Sequence, residues 1–276
     1  MNRRRALLRL RSTMRLVPVL WLAVLGGCAA SPRPLKVCAD PNNMPFSDAK
    51  ARGFENQVAG LVARDLGRPV AWVWWPQWRG YVRKTLKAGR CDLWPGVASQ
   101  LQMLDTTRPY YRSTYVFLTR ADRRLDLRSF DDPRLKRLRI AVQMVGDDAT
   151  NTPPAFALAR RRVVRNVRGF MVYDRPSGRA PIVDAVTRSD VDVAIVWGPL
   201  AGYFASISKV PLKLEPVQPW PDGPGLPMAF DISMGVRKGD TRLRQAIDQS
   251  LERRRGEIRS ILARYGVPAA PVQAAG

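Results

Sequence analysis

"GFENQVAGLVARDLGRPVAWVWWPQW", residues 53–78, holds the decision about fold. In its first half Phe54, Val58, Leu61, Val62 and Leu66 recur at helical spacing, with Glu55 near the start and Gly67 just past the end. That pattern predicts an amphipathic helix with a glycine stop. The second half, Val70–Trp75, is apolar at every position. Such a run needs cover on both faces, as in the interior of a parallel sheet. A helix feeding a strand of that kind is the repeating unit of an α/β protein.

The pattern extends to both sides. Before the helix, "PLKVCAD" (residues 34–40) reads as a strand that runs into the turn-rich "PNNMPFS". After the tryptophans, a helix over about Arg79–Ala88 stops at Gly89 and leads into the strand "CDLWPGV". "STYVFLTR" (113–120) is a further strand, and the charged "ADRRLDLRSFDDPRLK" after it marks passage into a second lobe. That lobe repeats the alternation: strand "LRIAVQ", a helix with Thr152 as N-cap and Pro153 in its first turn, a strand near "RGFMVY", helix "PIVDAVTR" and strand "VDVAIV". Residues 211–227, rich in Pro and Gly, read as a return connection to the strand "DISMGVRKG". Leu243, Ile247, Leu251, Ile258, Ile261, Leu262 and Tyr265 then stripe closing helices broken at Gly256.

The 276 residues carry a formal charge of +23 and no His. Without His the commonest general base, the histidine triads and the usual zinc ligand sets are gone. Asp131 with Asp132 and Asp147 with Asp148 pair carboxylates only as sequence neighbours in polar loops, so the chain reads as non-catalytic. Six of the 46 basic residues and none of the 23 acidic ones fall in residues 1–27; the remaining 40 against 23 leave +17. A charge of that size attracts an acidic protein, an anionic membrane surface or nucleic acid.

Residues 1–27 combine those six arginines with the short apolar run "LVPVLWLAVL" and read as a signal peptide. The run ends in "LGGC", which resembles a bacterial lipobox and marks Cys28 for lipidation, with 28–34 as a tether. A plain cleaved signal is the competing reading. An exported chain seldom meets nucleic acid, so none is expected as a partner. Of three cysteines, Cys38 and Cys91 stay in the folded part, and an oxidising compartment makes a disulfide the default over two buried thiols. No metal-ligand spacing is present.

Four of the eight tryptophans lie within residues 72–78. Ligands of open α/β sheets bind beyond the carboxyl ends of strands. Trp75, Trp78 and Trp94 stand at such ends in the first lobe and Trp197 at one in the second, and the Pro or Gly-Pro that follows Trp75, Trp94 and Trp197 predicts that the strand stops there. These four are candidates for an interlobe cleft, while Trp72 and Trp74 are expected in the core. Asp40, Asn42 and Asn43 add polar groups to the same rim. The competing readings are that every ring simply packs inside, and that the three polar residues serve the turn.

The strings "GFENQVAGLVARDLG", "LKAGRCDLWPGV", "RPYYRSTYVFLTR", "VDVAIVWGPLAGYFA" and "ISMGVRKGD" occur in the order found in type II periplasmic solute-binding proteins of the amino-acid-receptor kind, which the chain resembles over about 35–265. The resemblance implies two α/β lobes joined by two hinge strands, near Val116 and Ser233: residues 35–117 and 231–267 in one lobe, 118–230 in the other, and a disordered tail at 268–276. "CADPNNMPFS", "WWPQ", "GDDATNTPPAFALARR" and "DGPGLPMAFDISMGVRKGD" resemble more closely the J proteins of methanol-oxidation clusters. That family implies a quinoprotein alcohol dehydrogenase as partner, with its cytochrome as a further one, and no cofactor. In the amino-acid receptors an Arg grips the ligand carboxylate and an Asp holds its ammonium; by the motif, those places fall at Gln100 and Trp197 here, with Tyr111 nearby. A free amino acid would leave its charges unpaired, so the expected guest is apolar or aromatic, or a protein segment. A solute receptor feeding an importer is the alternative function.

Overall fold

The computed structural model describes residues 32–268 except 100, 146–148, 172–179, 220–221 and 224–225. The export signal, Cys28, Gln100 and the tail from residue 269 lie outside the described residues.

The chain runs β1 (Leu35–Ala39), β2 (Asn42–Asn43), β3 (Ser47–Asp48), α1 (Phe54–Asp65), β4 (Val70–Trp74), α2 (Tyr81–Lys84), β5 (Leu93–Ala98), β6 (Asp105–Thr106) and β7 (Tyr111–Arg120). It continues through β8 (Ile140–Val145), β9 (Thr150–Asn151), α3 (Pro153–Arg160), β10 (Val167–Met171), α4 (Pro181–Thr187) and β11 (Val193–Trp197). The last elements are α5 (Gly198–Ser206), β12 (Leu212–Pro216), β13 (Ala229–Val236), α6 (Thr241–Arg253) and α7 (Arg255–Arg264).

Two parallel groups of strands are stitched into one sheet in the order β10-β8-β11-β7-β13-β5-β1-β4. β1 pairs in parallel with β4 and β5, and β8 with β10 and β11. β7 and β13 run antiparallel to their neighbours and join the groups. β7 gives Tyr111–Thr114 to β13, then its later residues to β11 and β12.

Helix α1 forms where its apolar spacing requires. Phe54, Val58, Leu61 and Val62 are buried against Leu35, Val37, Leu93 and Met234 of the sheet and Ile247, Ile258 and Leu262 of the closing helices. Each such side chain stabilises by roughly 2 kcal/mol on burial, which outweighs the weak helix propensity of the valines. The stop is at Gly67, whose φ of 64° closes the turn in a conformation that costs a side chain energy. Cys38 and Cys91 form a disulfide, Cα–Cα 5.6 Å, that ties β1 to the chain entering β5.

Several local expectations are corrected. β4 lies at the edge of the sheet, not inside it, and all five of its residues are only half-buried. Trp72 packs against the core cluster that α1 covers, and Trp74 stacks on it at 5.4 Å. β5 does not stop at Pro95. Its pairing with β13 shifts register between Ser233 and Gly235, so Pro95 and Gly96 sit in a bulge, where proline takes no bond from the ladder. The second helix is one turn long, and the closing helices break at Arg254 rather than Gly256. The Pro- and Gly-rich return contains a strand, β12, paired along β7. Thr152 caps α3 by position, but its hydroxyl donates to the Gln143 carbonyl at 2.6 Å.

Candidate functional site

The carboxyl ends of β1, β4, β5, β8 and β11 converge on a cavity of about 160 Å³. Its wall takes Asn43 and Phe46 from the loop after β1, Gln77 after β4, Gly96 from β5 and Glu55 from the first turn of α1. Tyr111 of β7, Ile232 of β13, Gln143 and Val145 of β8, and Trp197 at the end of β11 complete it. The cavity thus draws on both parallel groups and on both joining strands.

Local geometry fixes these side chains. Asp40, 1% exposed, sits behind the wall and accepts from Asn42 N at 2.8 Å and Gln77 N at 2.7 Å. It therefore shapes the loop that presents Asn43 and Gln77. Asn43 Nδ2 donates to Gln77 Oε1 at 3.2 Å, which leaves Asn43 Oδ1 buried without a donor. Gln143 Oε1 accepts from Trp197 N at 3.0 Å, and the Trp197 ring lies edge-on to Tyr115 and Phe230. Gly53 is held against the Phe46 carbonyl, where a β-carbon would collide, and this close approach sets Glu55 facing the cavity.

Glu55 is the electrostatic centre. Burial, and after it the charge of Asp40, push its carboxyl up to about 8. Burial likewise raises Asp40, opposed by its two backbone donors. Tyr110 and Tyr111 are pushed well above the usual phenol range by burial and then by Glu55. Among the described residues no ion pair engages Asp40 or Glu55, and no Arg or Lys lines the cavity. The site offers a carboxyl, amide and phenol groups and aromatic faces, and no cationic side chain among the described lining residues.

Of the residues singled out from sequence, Asn43, Tyr111 and Trp197 line the cavity, and Asp40 supports it. Asn42 contributes its backbone N–H to Asp40. The other tryptophans lie elsewhere. Trp94 packs on Tyr81 at 4.8 Å in the cluster around the disulfide, and its Nε1 is buried without an acceptor. Trp75 packs against the same cluster, under the Arg90 guanidinium at 4.9 Å. Trp78 is 51% exposed, next in sequence to Gln77. The bulge at Pro95 explains Trp94: because β5 continues, the strand end lies four residues beyond the ring.

Sequence reasoning missed Glu55, Phe46, Gln77, Gly96 and Gln143. An acidic residue in the first turn already has a helix-dipole reason to be there, so nothing local marked Glu55 as a cavity group.

The fold and this cleft define a solute-binding protein, and the chain belongs to family 3 of the bacterial extracellular solute-binding proteins, whose model matches residues 35–268. It has the type II periplasmic binding protein fold. Within the family it is 34% identical over 253 residues to protein MoxJ of Methylorubrum extorquens, covering 86% of this chain and 82% of that one. The crystal structure of the periplasmic binding protein XoxJ from Methylobacterium extorquens AM1 superposes with a TM-score of 0.71 at 34% identity, over 86% of this chain and 99% of that one. MxaJ from Methlophaga aminisulfidivorans MPT gives a TM-score of 0.71 at 28% identity, over 86% and 100%.

Proposed function

We propose that this chain is a non-catalytic periplasmic accessory of a PQQ-dependent (quinoprotein) alcohol dehydrogenase, held at the membrane through a lipid on Cys28. The observation that carries this reading is Trp197: it stands on the cavity wall at the place where the amino-acid receptors keep the Asp for the ligand ammonium, and no Arg or Lys accompanies it among the described lining residues. A carboxylate brought into such a pocket would be desolvated with no compensating charge, at a cost of several kcal/mol. The pocket is therefore turned away from free amino acids. Likeness to MoxJ, XoxJ and MxaJ across most of the chain supports the methanol-oxidation setting. The net charge favours an acidic protein surface as the docking partner, and Trp78, exposed beside the cleft, offers an aromatic contact to the enzyme or an apolar segment of it.

The test is affinity capture of the tagged protein from periplasmic extract of the native host under mild detergent. The dehydrogenase, with or without its cytochrome, should co-purify and be released by salt. Recovery of the bait without any quinoprotein dehydrogenase contradicts the reading.

A second reading, a receptor for a small solute other than an amino acid that feeds an importer, is favoured by the small cavity itself. On that reading a defined small ligand raises the melting temperature.

A further inference from the structure

The unpaired carboxyl in the cavity wall points to one kind of guest. Glu55 is 6% exposed and its carboxyl has no hydrogen-bond donor or cation. Asn43 lines the same space, but its unpartnered Oδ1 is fully buried behind the wall. The remaining amide oxygens, Gln77 Oε1 and Gln143 Oε1, already accept from Asn43 Nδ2 and Trp197 N. Phe46, Tyr111 and Trp197 supply ring faces around them. Gly96 gives Glu55 its room, because a β-carbon there would overlap Oε1. A buried carboxyl that faces the space without a cation, among aromatic rings, suits a ligand that brings both positive charge and N–H groups.

We propose that this cavity is a binding site for a small primary alkylammonium ion, with Glu55 as counter-ion and Trp197, Tyr111 and Phe46 around the alkyl chain. At about 160 Å³ the space compares with cavities that hold one benzene-sized molecule, which limits the guest to a handful of heavy atoms. A quaternary ammonium brings charge without donors; an alcohol brings a donor without charge. Neither gives Glu55 both a charge and a donor. The proposal rests on the cavity being a ligand site and holds whether or not a dehydrogenase is the partner.

The cation also accounts for the state of Glu55. Burial favours the neutral carboxyl in the empty cleft, and Asp40, Tyr110 and Tyr111, the titratable groups that act on it, bring no positive charge. Entry of an ammonium ion would favour the carboxylate, so near pH 7 binding should release about one proton.

The experiment is isothermal titration calorimetry of the intact exported protein with n-butylammonium, tetramethylammonium and n-butanol, repeated in buffers of different ionisation enthalpy. The expected order is n-butylammonium tightest, tetramethylammonium weaker by about tenfold or more, and no heat from n-butanol. Glu55→Gln, checked for folding by circular dichroism, should weaken n-butylammonium by about tenfold or more and abolish the proton release. Absence of binding by n-butylammonium, equal binding of n-butanol, or an unchanged affinity in Glu55→Gln overturns the proposal. The assay contains no dehydrogenase, so its outcome is separate from that of the capture experiment.

Discussion

A β-carbon at Gly96 would overlap Glu55 Oε1, so the bulge of β5 and the first turn of α1 share a single space. Gly96→Ala should push the Glu55 carboxyl off its place and destabilise the protein by about 1–3 kcal/mol. Gly60, also in α1, is the control. A β-carbon there meets only Arg64 Nη1, at 3.8 Å, so Gly60→Ala should be neutral or stabilise by roughly 0.5–1 kcal/mol. Urea unfolding of the two variants measures the contrast.

The raised Glu55 carboxyl makes stability depend on pH. In the unfolded chain it titrates near 4.5, and in the folded chain at about 8. Between these values the native state keeps a proton that the unfolded state has released, so this group's contribution to stability falls as pH rises from about 4.5 to about 8 and levels off above. Glu55→Gln removes that slope. Its advantage over the wild type should grow with pH and reach on the order of a few kcal/mol near pH 8. Urea midpoints for the two proteins at about pH 5, 7 and 9 are the measurement; parallel curves would contradict the assignment.

Reduction should reveal the disulfide's share. Cys38 and Cys91 are 53 residues apart, and closing a loop of that length stabilises by about 4 kcal/mol on the chain-entropy account. Cys38→Ser with Cys91→Ser, or reductant on the wild type, should lower the melting temperature correspondingly. Scanning calorimetry with and without reductant reads it.

Arg161 holds two carboxylates of unequal worth. Its Nη1 and Nη2 donate to the two oxygens of Asp222 at 2.7 Å each, and Nε donates to Asp131 at 2.7 Å. The Asp222 side chain is 4% exposed and that of Asp131 71%. Arg161→Met strands a buried charge and should cost about 3–5 kcal/mol, whereas Asp131→Asn should cost under about 1 kcal/mol. Denaturant unfolding separates the two.

How far the sequence could be read depended on the period of its signal. The 3.6-residue spacing of α1 located a helix, its buried face and its glycine stop, because one amphipathic face packs against one sheet. The apolar run at β4 carried no such direction: at an edge its residues are half-buried, with Trp72 and Trp74 stacked on each other. Pro95 misled in the same way, since a bulge and a strand end call for the same residue. The cleft was legible where a residue stands at a real strand end, as with Asn43 and Trp197, and illegible at Glu55, Gln77 and Gln143. Those residues meet only because β1, β4 and β8 end together in space. The expected guest was drawn from the two missing anchors, at Gln100 and Trp197; Glu55 in the wall adds a carboxyl that this reading did not include.

The most direct test of the account is PQQ-dependent alcohol dehydrogenase activity in periplasmic extracts of the native host with this gene deleted and then restored. The account predicts that activity falls severalfold on deletion and returns with the wild-type chain. Activity that stays unchanged, with the dehydrogenase present in normal amount, would contradict it.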